Sequence, residues 1–509
     1  MGFYHGLSAE AYDRQYTNKA LIKRIVDYFK PHKAKLIFVA IVVILQGFTG
    51  SMPYLLVSKV LDEGAAVRPD DRILAILVGA VIFIEILGYV FFHIQQRLMA
   101  RVNADVYRSL ATDAFAASME QDLAFHDKLS SGRIVSRITG DTEDFITLIR
   151  LTMNVLSSVM QSIIVAIILL RTEWRLALML FIFVPIVILI VSSYRNVARR
   201  VTTRGMRAMA NVNATVKETI SGISVAKNFR QEESIYADFQ ESNKTSYNVN
   251  VKRGFVLSIV FPTMRTLSGI SIALLVYFGA LSVSQGLITA GAWYLVLLSS
   301  ERFLMPILSM TSYWAQVQTG FAAAERIFAL IDAEHTVIQT GDKPAQALHG
   351  DIVFENVSFS YGVGAEVLNN FNLHIKPGEN LAIVGHTGAG KSSIARLISR
   401  FYEFQEGRIL IDGTDIREFN IDSLRQQMGV VTQVPFLFEG TVEENIRFAQ
   451  PDITREEILA LAHEIGDGEW LETLTNGLDT NVGERGAKIS MGQRQLVALM
   501  RVLARKPAI

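Results

Sequence analysis

The chain contains no cysteine. That excludes disulfides, thiolate metal sites and a cysteine nucleophile. Charge is also scarce: Asp, Glu, Lys and Arg make up 19% of the 509 residues, against about 25% in ordinary soluble domains. The 49 basic and 49 acidic residues cancel, so no global basic field attracts nucleic acid. The N-terminal stretch Met1–Asn18 is polar and lacks the apolar core of a cleavable signal peptide. Charge thins out in blocks before about residue 320 and returns after it. This pattern divides an apolar, helix-rich first part from a more ordinary second part, and the length suits two or three domains.

Six stretches are apolar and long enough for a bilayer, which requires about 20 residues per helix. They are Leu36–Val57, Ile73–Ile94, Leu151–Leu170, Leu176–Tyr194, Phe255–Gly279 and Ile288–Met310. Ala20–Phe29, just before the first, is amphipathic and suits the membrane interface. Lys and Arg placement sets the orientation. The connection Ser282–Leu287 carries no charge, whereas the long connections after the second and fourth spans are basic. One holds Arg97, Arg101, Arg108, Arg133 and Arg137; the other holds Arg195, Arg199, Arg200, Arg204, Arg207, Lys217 and Lys227. Both connections and both termini therefore belong in the cytoplasm. Gln95–Met119 and Ala198–Ile220 keep helical composition without proline, so the helices run on about 35 Å past the membrane at about 1.5 Å per residue. Turn-rich segments, Gln121–Gly132 and Ser221–Gln231, form the expected hairpin tips. Such tips need a folded partner to pack on.

Gly385-His386-Thr387-Gly388-Ala389-Gly390-Lys391-Ser392 fits the phosphate-loop pattern G-x-x-x-x-G-K-[ST]. The apolar run Leu381–Val384 before it reads as a buried strand, and Ser392–Arg400 reads as a helix. Backbone N–H groups turned inward and a helix N-terminus together favour an anion. Lys391 suits the β/γ-phosphates of ATP and the Ser392 hydroxyl suits Mg²⁺, with Ser393 following at the helix start. Around this motif, strands are expected at Ile352–Tyr361, Leu373–Ile375, Ile409–Ile411 and Met428–Val431. Helices are expected at Ile421–Gln427, Arg455–Ala462 and Gly492–Leu503. The fold class is thus an all-α polytopic membrane domain followed by an α/β P-loop NTPase domain. The boundaries are 1–35 for a cytoplasmic N-terminus with an interfacial helix, 36–325 for the membrane domain, 326–350 for a linker and 351–509 for the ATP-binding domain.

Six spans, two long cytoplasmic hairpins and a C-terminal phosphate-loop domain resemble the ABC exporters of half-transporter type. Further segments carry the resemblance. Tyr361 is similar to the aromatic that stacks on adenine. Gln433, within Val430–Phe438, is similar to the family glutamine that touches Mg²⁺ and the attacking water. Thr480–Gly486 resembles the exporter segment that meets the coupling hairpins. Ile489-Ser490-Met491-Gly492-Gln493 resembles the signature L-S-G-G-Q, with Met491 where the family usually has Gly. The resemblance implies that Lys391 and Gln433 act in catalysis. Nucleotide would be held by Tyr361, Gly385 to Ser393, Gln433, Ser490, Gly492 and Gln493, and metal by Ser392 and Gln433. It implies ATP and Mg²⁺, a dimer with an identical or different half-transporter, and a bilayer. It also implies export across the bacterial plasma (inner) membrane with the ATP-binding domain cytoplasmic. In the family an apolar strand ending in Asp-Glu follows the signature helix. Here no carboxylate occurs after Glu484, and Arg505–Ile509 stand where that strand begins. The ATP-binding domain of the chain as given is therefore expected to be C-terminally incomplete, to hydrolyse ATP weakly and to lack a central strand. An ATP-binding, non-hydrolysing regulatory half of a heterodimer is the alternative that this departure and Met491 leave open. Glu85 and Arg265 lie within spans, where charges are costly. An ion pair between them is the simpler expectation, and contact with the unnamed substrate is the other. Glu301 and Arg302 fall in the sixth span.

Overall fold

The computed structural model describes residues 16–64, 70–362 and 366–509. Most of the expected N-terminal cytoplasmic segment lies outside these residues, as do the side chains of Glu301 and Arg302. The chain divides into two compact units: Met1–Ala117 with Val135–Asp332, and Ser118–Ile134 with Ala333–Ile509.

The helices come first. α1 (Asn18–Phe29) starts at Thr17, whose hydroxyl accepts from the Ala20 N–H, and buries Leu21 and Phe29. Arg24 pairs with Asp332 and holds it in the first unit. α2 (Lys33–Gly64) follows, then α3 (Asp71–Glu120), whose 50 residues make a rod of about 75 Å. α4 (Leu123–Lys128) and α5 (Ser131–Ser136) replace the expected turn between Gln121 and Gly132. A single π-helical turn, Arg137–Asp141, joins α5 to α6 (Thr142–Thr172). There the buried Asp141 accepts from Arg326 Nε at 2.9 Å. α7 (Trp174–Ser221) is one continuous helix over the expected span and its extension. α8 (Ile223–Phe229) replaces the second expected turn, because Arg230 takes a left-handed conformation and closes a short helix instead. α9 (Glu232–Ser258) and α10 (Val260–Ser284) share the fifth span. Pro262 is the third residue of α10, where its missing N–H costs that helix no bond. α11 (Ala290–Ile331) opens on Thr289, whose hydroxyl accepts from Ala292 N–H at 3.1 Å.

Five helical stretches among the described residues are long and apolar enough to cross a membrane. In α11 the described apolar part is Ala290–Ser300. The first unit packs around Leu169, Leu180, Leu275, Val296 and Phe303. No ion pair joins Glu85 and Arg265 among the described residues. They stand on α3 and α10 with exposed side chains, so the expected pairing is not formed.

The second unit carries a four-stranded antiparallel sheet in the order β2-β1-β3-β4: β1 (Ile352–Ser360), β2 (Glu366–Ile375), β3 (Glu406–Ile411) and β4 (Thr414–Asp415). Phe354, Phe359, Ile409 and Ile411 form its inner face. Six helices follow: α12 (Lys391–Ile398), α13 (Ile421–Gln426), α14 (Val442–Arg447), α15 (Arg455–His463), α16 (Glu469–Glu472) and α17 (Met491–Leu503). Two expected strands are absent. Leu381–Val384 and Met428–Val431 pair with no strand, and Val384 is 88% exposed. A strand exists only through a neighbour that completes its ladder. Beside Met428 a single residue makes such contacts: Ile509 donates to the Gln427 carbonyl at 3.1 Å and accepts from Gly429 N–H at 2.8 Å. This alternation is the parallel-ladder pattern, but it covers one residue and makes no strand.

Candidate functional site

The phosphate loop is built from backbone conformations that glycine reaches cheaply. Gly388 and Gly390 lie at φ 89° and 83°. At Gly390 an added Cβ would also approach Leu368 to 3.1 Å, so a side chain there meets both a left-handed backbone and a packed neighbour. Gly390 precedes α12, and residues Gly385 to Ala389 are exposed. Lys391 Nζ donates to the carbonyls of Gly385 and His386, both at 2.8 Å. The ammonium thus sits across the mouth of the loop beside the positive end of the helix. Ser392 is exposed in the first turn of α12. This cradle fits a phosphate.

Ser393 does not face the loop. It is buried, and its hydroxyl lies 2.9 Å from the Tyr361 hydroxyl. Tyr361 meets Tyr402 edge-on at 4.9 Å and Phe359 at 4.7 Å, yet it remains 37% exposed. Arg396 donates to its hydroxyl at 3.3 Å and lies 5.8 Å from its ring centre. The hydrogen bond to Tyr361 holds the Arg396 guanidinium above its ordinary pKa. Burial, followed by the Asp127 carboxylate, pushes the Tyr402 phenol up.

Asp127 belongs to α4, so the hairpin tip is part of this cluster. Tyr402 donates to Asp127, and Arg396 lies 4.0 Å from it. Leu123 and Ala124 pack against the sheet's core, and Asp122 accepts from the Val337 N–H at 2.8 Å. The ion pair alone is half exposed and worth little; the apolar docking and the tyrosine bond carry the contact. Asp127→Ala removes that bond, worth about 1 kcal/mol. It is expected to weaken nucleotide affinity by about three- to tenfold in a fluorescent-nucleotide titration. An unchanged affinity would show that Tyr361 stands without the hairpin.

Gln433 is exposed, and its carbonyl accepts from Gln495 Nε2 at 3.4 Å, a tie to α17. Ser490 caps α17 in a reciprocal capping box: its hydroxyl accepts from the Gln493 N–H at 3.2 Å, and Gln493 Oε1 accepts from the Ser490 N–H at 2.8 Å. Gln493 Nε2 also donates to Thr473. Met491 is the first residue of this helix, with negative φ and an exposed side chain. The position demands no glycine, so the substitution leaves the cap intact. Gly492 has open space around it. In Thr480–Gly486, Val482 N–H donates to the Gly440 carbonyl at 2.9 Å, while Glu484 and Arg485 stay exposed.

Sequence motifs give no sign of Arg396, Tyr402 or Asp127, because their link is made by folding alone. The polar stripe Asn154, Ser157, Ser158 and Gln161 on α6 was legible as i, i+3, i+4, i+7 spacing inside an apolar span.

Residues 36–307 match the family described as ABC transporter transmembrane region, and residues 368–509 match the family described as ABC transporter. The chain is 33% identical over 96% of its length to exp8 of Streptococcus pneumoniae, named as an ABC transporter ATP-binding protein, and spans 84% of it. It is 31% identical, over 96% of this chain and 85% of the relative, to an ATP-dependent lipid A-core flippase of Desulfotalea psychrophila. A solved bacterial Atm1-family ABC exporter with ATP bound is similar with a TM-score of 0.75 at 26% identity, covering 93% of this chain and 85% of that one. With both parts matched in this order, the chain is an integral membrane protein that belongs to the ABC transporter family, as a half-transporter of exporter type.

Proposed function

We propose that this chain is one half of a dimeric, ATP-driven exporter of a small molecule, lipid or peptide, seated in the bacterial plasma (inner) membrane with its second unit cytoplasmic. Each ATP would lie between the phosphate loop of one copy and the signature of its partner. Tyr361 would stack on the base, the amides of Gly385 to Ser393 and Lys391 would hold the phosphates, and Ser490, Gly492 and Gln493 would close from the other side. Mg²⁺ bound with the nucleotide neutralises phosphate charge; Ser392 and Gln433, both exposed, would hold it. Gln433 would also orient the attacking water.

One observation carries this reading. A phosphate loop and a capped, outward-facing helix N-terminus both lie exposed in the same unit, so each copy offers complementary parts of two sites. ATP would bind the closed pair better than the open one, and only such a difference shifts an equilibrium. α3 and α5 flank the α4 hairpin in the chain, which gives closure a covalent route to the spans.

Because the chain is free of cysteine, single cysteines placed at His386 and Met491 carry spin labels without background. In the complete transporter in nanodiscs, ATP is expected to bring the His386 label of one copy toward the Met491 label of the other. Unchanged distances would defeat the proposal.

The regulatory, non-hydrolysing half of a heterodimer is a second reading, favoured by the exposed Met491 where the family signature has glycine. On this reading, copies of residues 1–509 bind ATP but turn it over slowly. Steady hydrolysis by them, abolished by Lys391→Ala, would exclude the regulatory role.

A further inference from the structure

The first unit contains a cavity of about 560 Å³ lined by α2, α3, α6 and Tyr313 of α11. Its size is that of a small-molecule site, but its lining is unusual for helices that cross a membrane. α3 contributes Glu85 and Gln95, α2 contributes Gln46, and α6 contributes Asn154, Ser158 and Gln161. Each of these would be costly facing lipid. Their convergence on one space is what makes them tolerable in apolar helices. Tyr89 and Tyr313 add aromatic faces.

The charge of the lining is one-sided. Among the described lining residues Glu85 is the only charged group, and no Lys, Arg or His accompanies it. Glu85 has no ion-pair partner among the described residues, as the separation from Arg265 already implied. Gln95 is 6% exposed, and its Nε2 donates to Ser157 Oγ at 3.2 Å. The cavity thus presents one carboxylate among neutral amides and hydroxyls. It calls for a positive group that carries N–H donors. An adjoining cavity of about 520 Å³ shares Gln95, Gln96 and Asn154. Its charges, Glu143 and Arg150, stand 3.9 Å apart and cancel, so it adds no competing anion site.

We propose that this cavity is the cargo site and that it selects organic ammonium compounds, a positive N–H-bearing head with an apolar or aromatic body, over anionic lipids and acids. The proposal rests on the exporter reading above and names its substrate class. Glu85 would pair with the ammonium, and Tyr89 and Tyr313 would flank the body. A cation placed against a carboxylate in a partly dry cavity gains far more than in water, and aromatic walls add to it.

The test uses three dyes that share one fluorophore: dansylcadaverine (cationic), dansylamide (neutral) and dansylglycine (anionic). Each is titrated into the full chain in nanodiscs without nucleotide. Dansylcadaverine is expected to bind saturably and at least tenfold more tightly than the other two. Glu85→Gln is expected to remove most of that preference, and Glu85→Asp to retain it within about threefold. Equal binding of dansylglycine, displacement of dansylcadaverine by phosphatidic acid but not by unlabelled cadaverine, or an unaffected Glu85→Gln variant would overturn the proposal. If Glu85→Gln misfolds, seen as loss of nucleotide binding, the three-dye comparison on the unaltered chain with Glu85→Asp decides. Failure here with intact ATP-driven closure of the labelled dimer refutes the cargo class alone; loss of closure refutes the exporter reading.

Discussion

Lys391→Ala is expected to lower ATP turnover of the complete transporter by about a hundred- to a thousandfold, the usual cost of removing one pre-placed electrostatic stabiliser. The geometry explains why the effect should be functional rather than structural. Lys391 Nζ bonds only to the carbonyls of Gly385 and His386, in a loop that is already exposed. Removing it leaves those carbonyls to water at little cost. The melting temperature should therefore move by less than about 2 °C while turnover collapses. Lys391→Arg keeps the charge but not the compact ammonium, and should recover only part of the rate. Calorimetry beside steady-state hydrolysis checks both halves. A large loss of stability would mean that the lysine is mainly a structural tie.

Arg400→Ala is expected to cost the second unit about 3–5 kcal/mol, the penalty for breaking a buried pair from one side. Arg400 is 1% exposed, and its guanidinium donates to the carbonyl of Ile416 at 2.9 Å, the carbonyl of Ile338 at 2.7 Å and Glu403 at 3.1 Å. Glu403 also accepts from Arg417 Nε and the Ile338 N–H, both at 3.0 Å. The same residue has φ 48°, just after α12, a place that glycine usually takes. The side chain's bonds outweigh the backbone's preference. This gives an ordering: Arg400→Gly removes the bonds but also relieves roughly 1 kcal/mol of left-handed strain, so it should melt above Arg400→Ala. With a unit of this size, the alanine variant should lose about 10 °C or more. Equal midpoints for the two variants would show that the strain is absent.

The membrane part was readable because hydropathy needs no neighbour: the apolar runs fall in long helices, and α3 and α7 continue past their spans as composition implied. The phosphate loop and signature were readable because their chemistry is local, in Gly388, Gly390, Lys391 and Ser490. Features that depend on a distant partner escaped. Leu381–Val384 and Met428–Val431 have strand composition, but a ladder requires a second chain segment alongside. Tyr361 was singled out, while its supports, Arg396 and Tyr402 from one stretch and Asp127 from a distant one, share no pattern. Ser393 looked like part of the phosphate grip, yet helical geometry turns its hydroxyl inward to Tyr361. Arg400 reads as an ordinary helix-end cation until burial shows it holding three partners.

The position of α4 has a consequence for biogenesis. Asp127 and Tyr402 are separated by 275 residues. At about 5–20 residues per second, translation leaves the tip waiting roughly 14 to 55 seconds before its dock exists. During that interval Leu123 and Ala124 have nothing to cover them, and the membrane helices on either side are already being inserted. Docking of this early loop onto a lobe made later is therefore expected to follow synthesis of Tyr402.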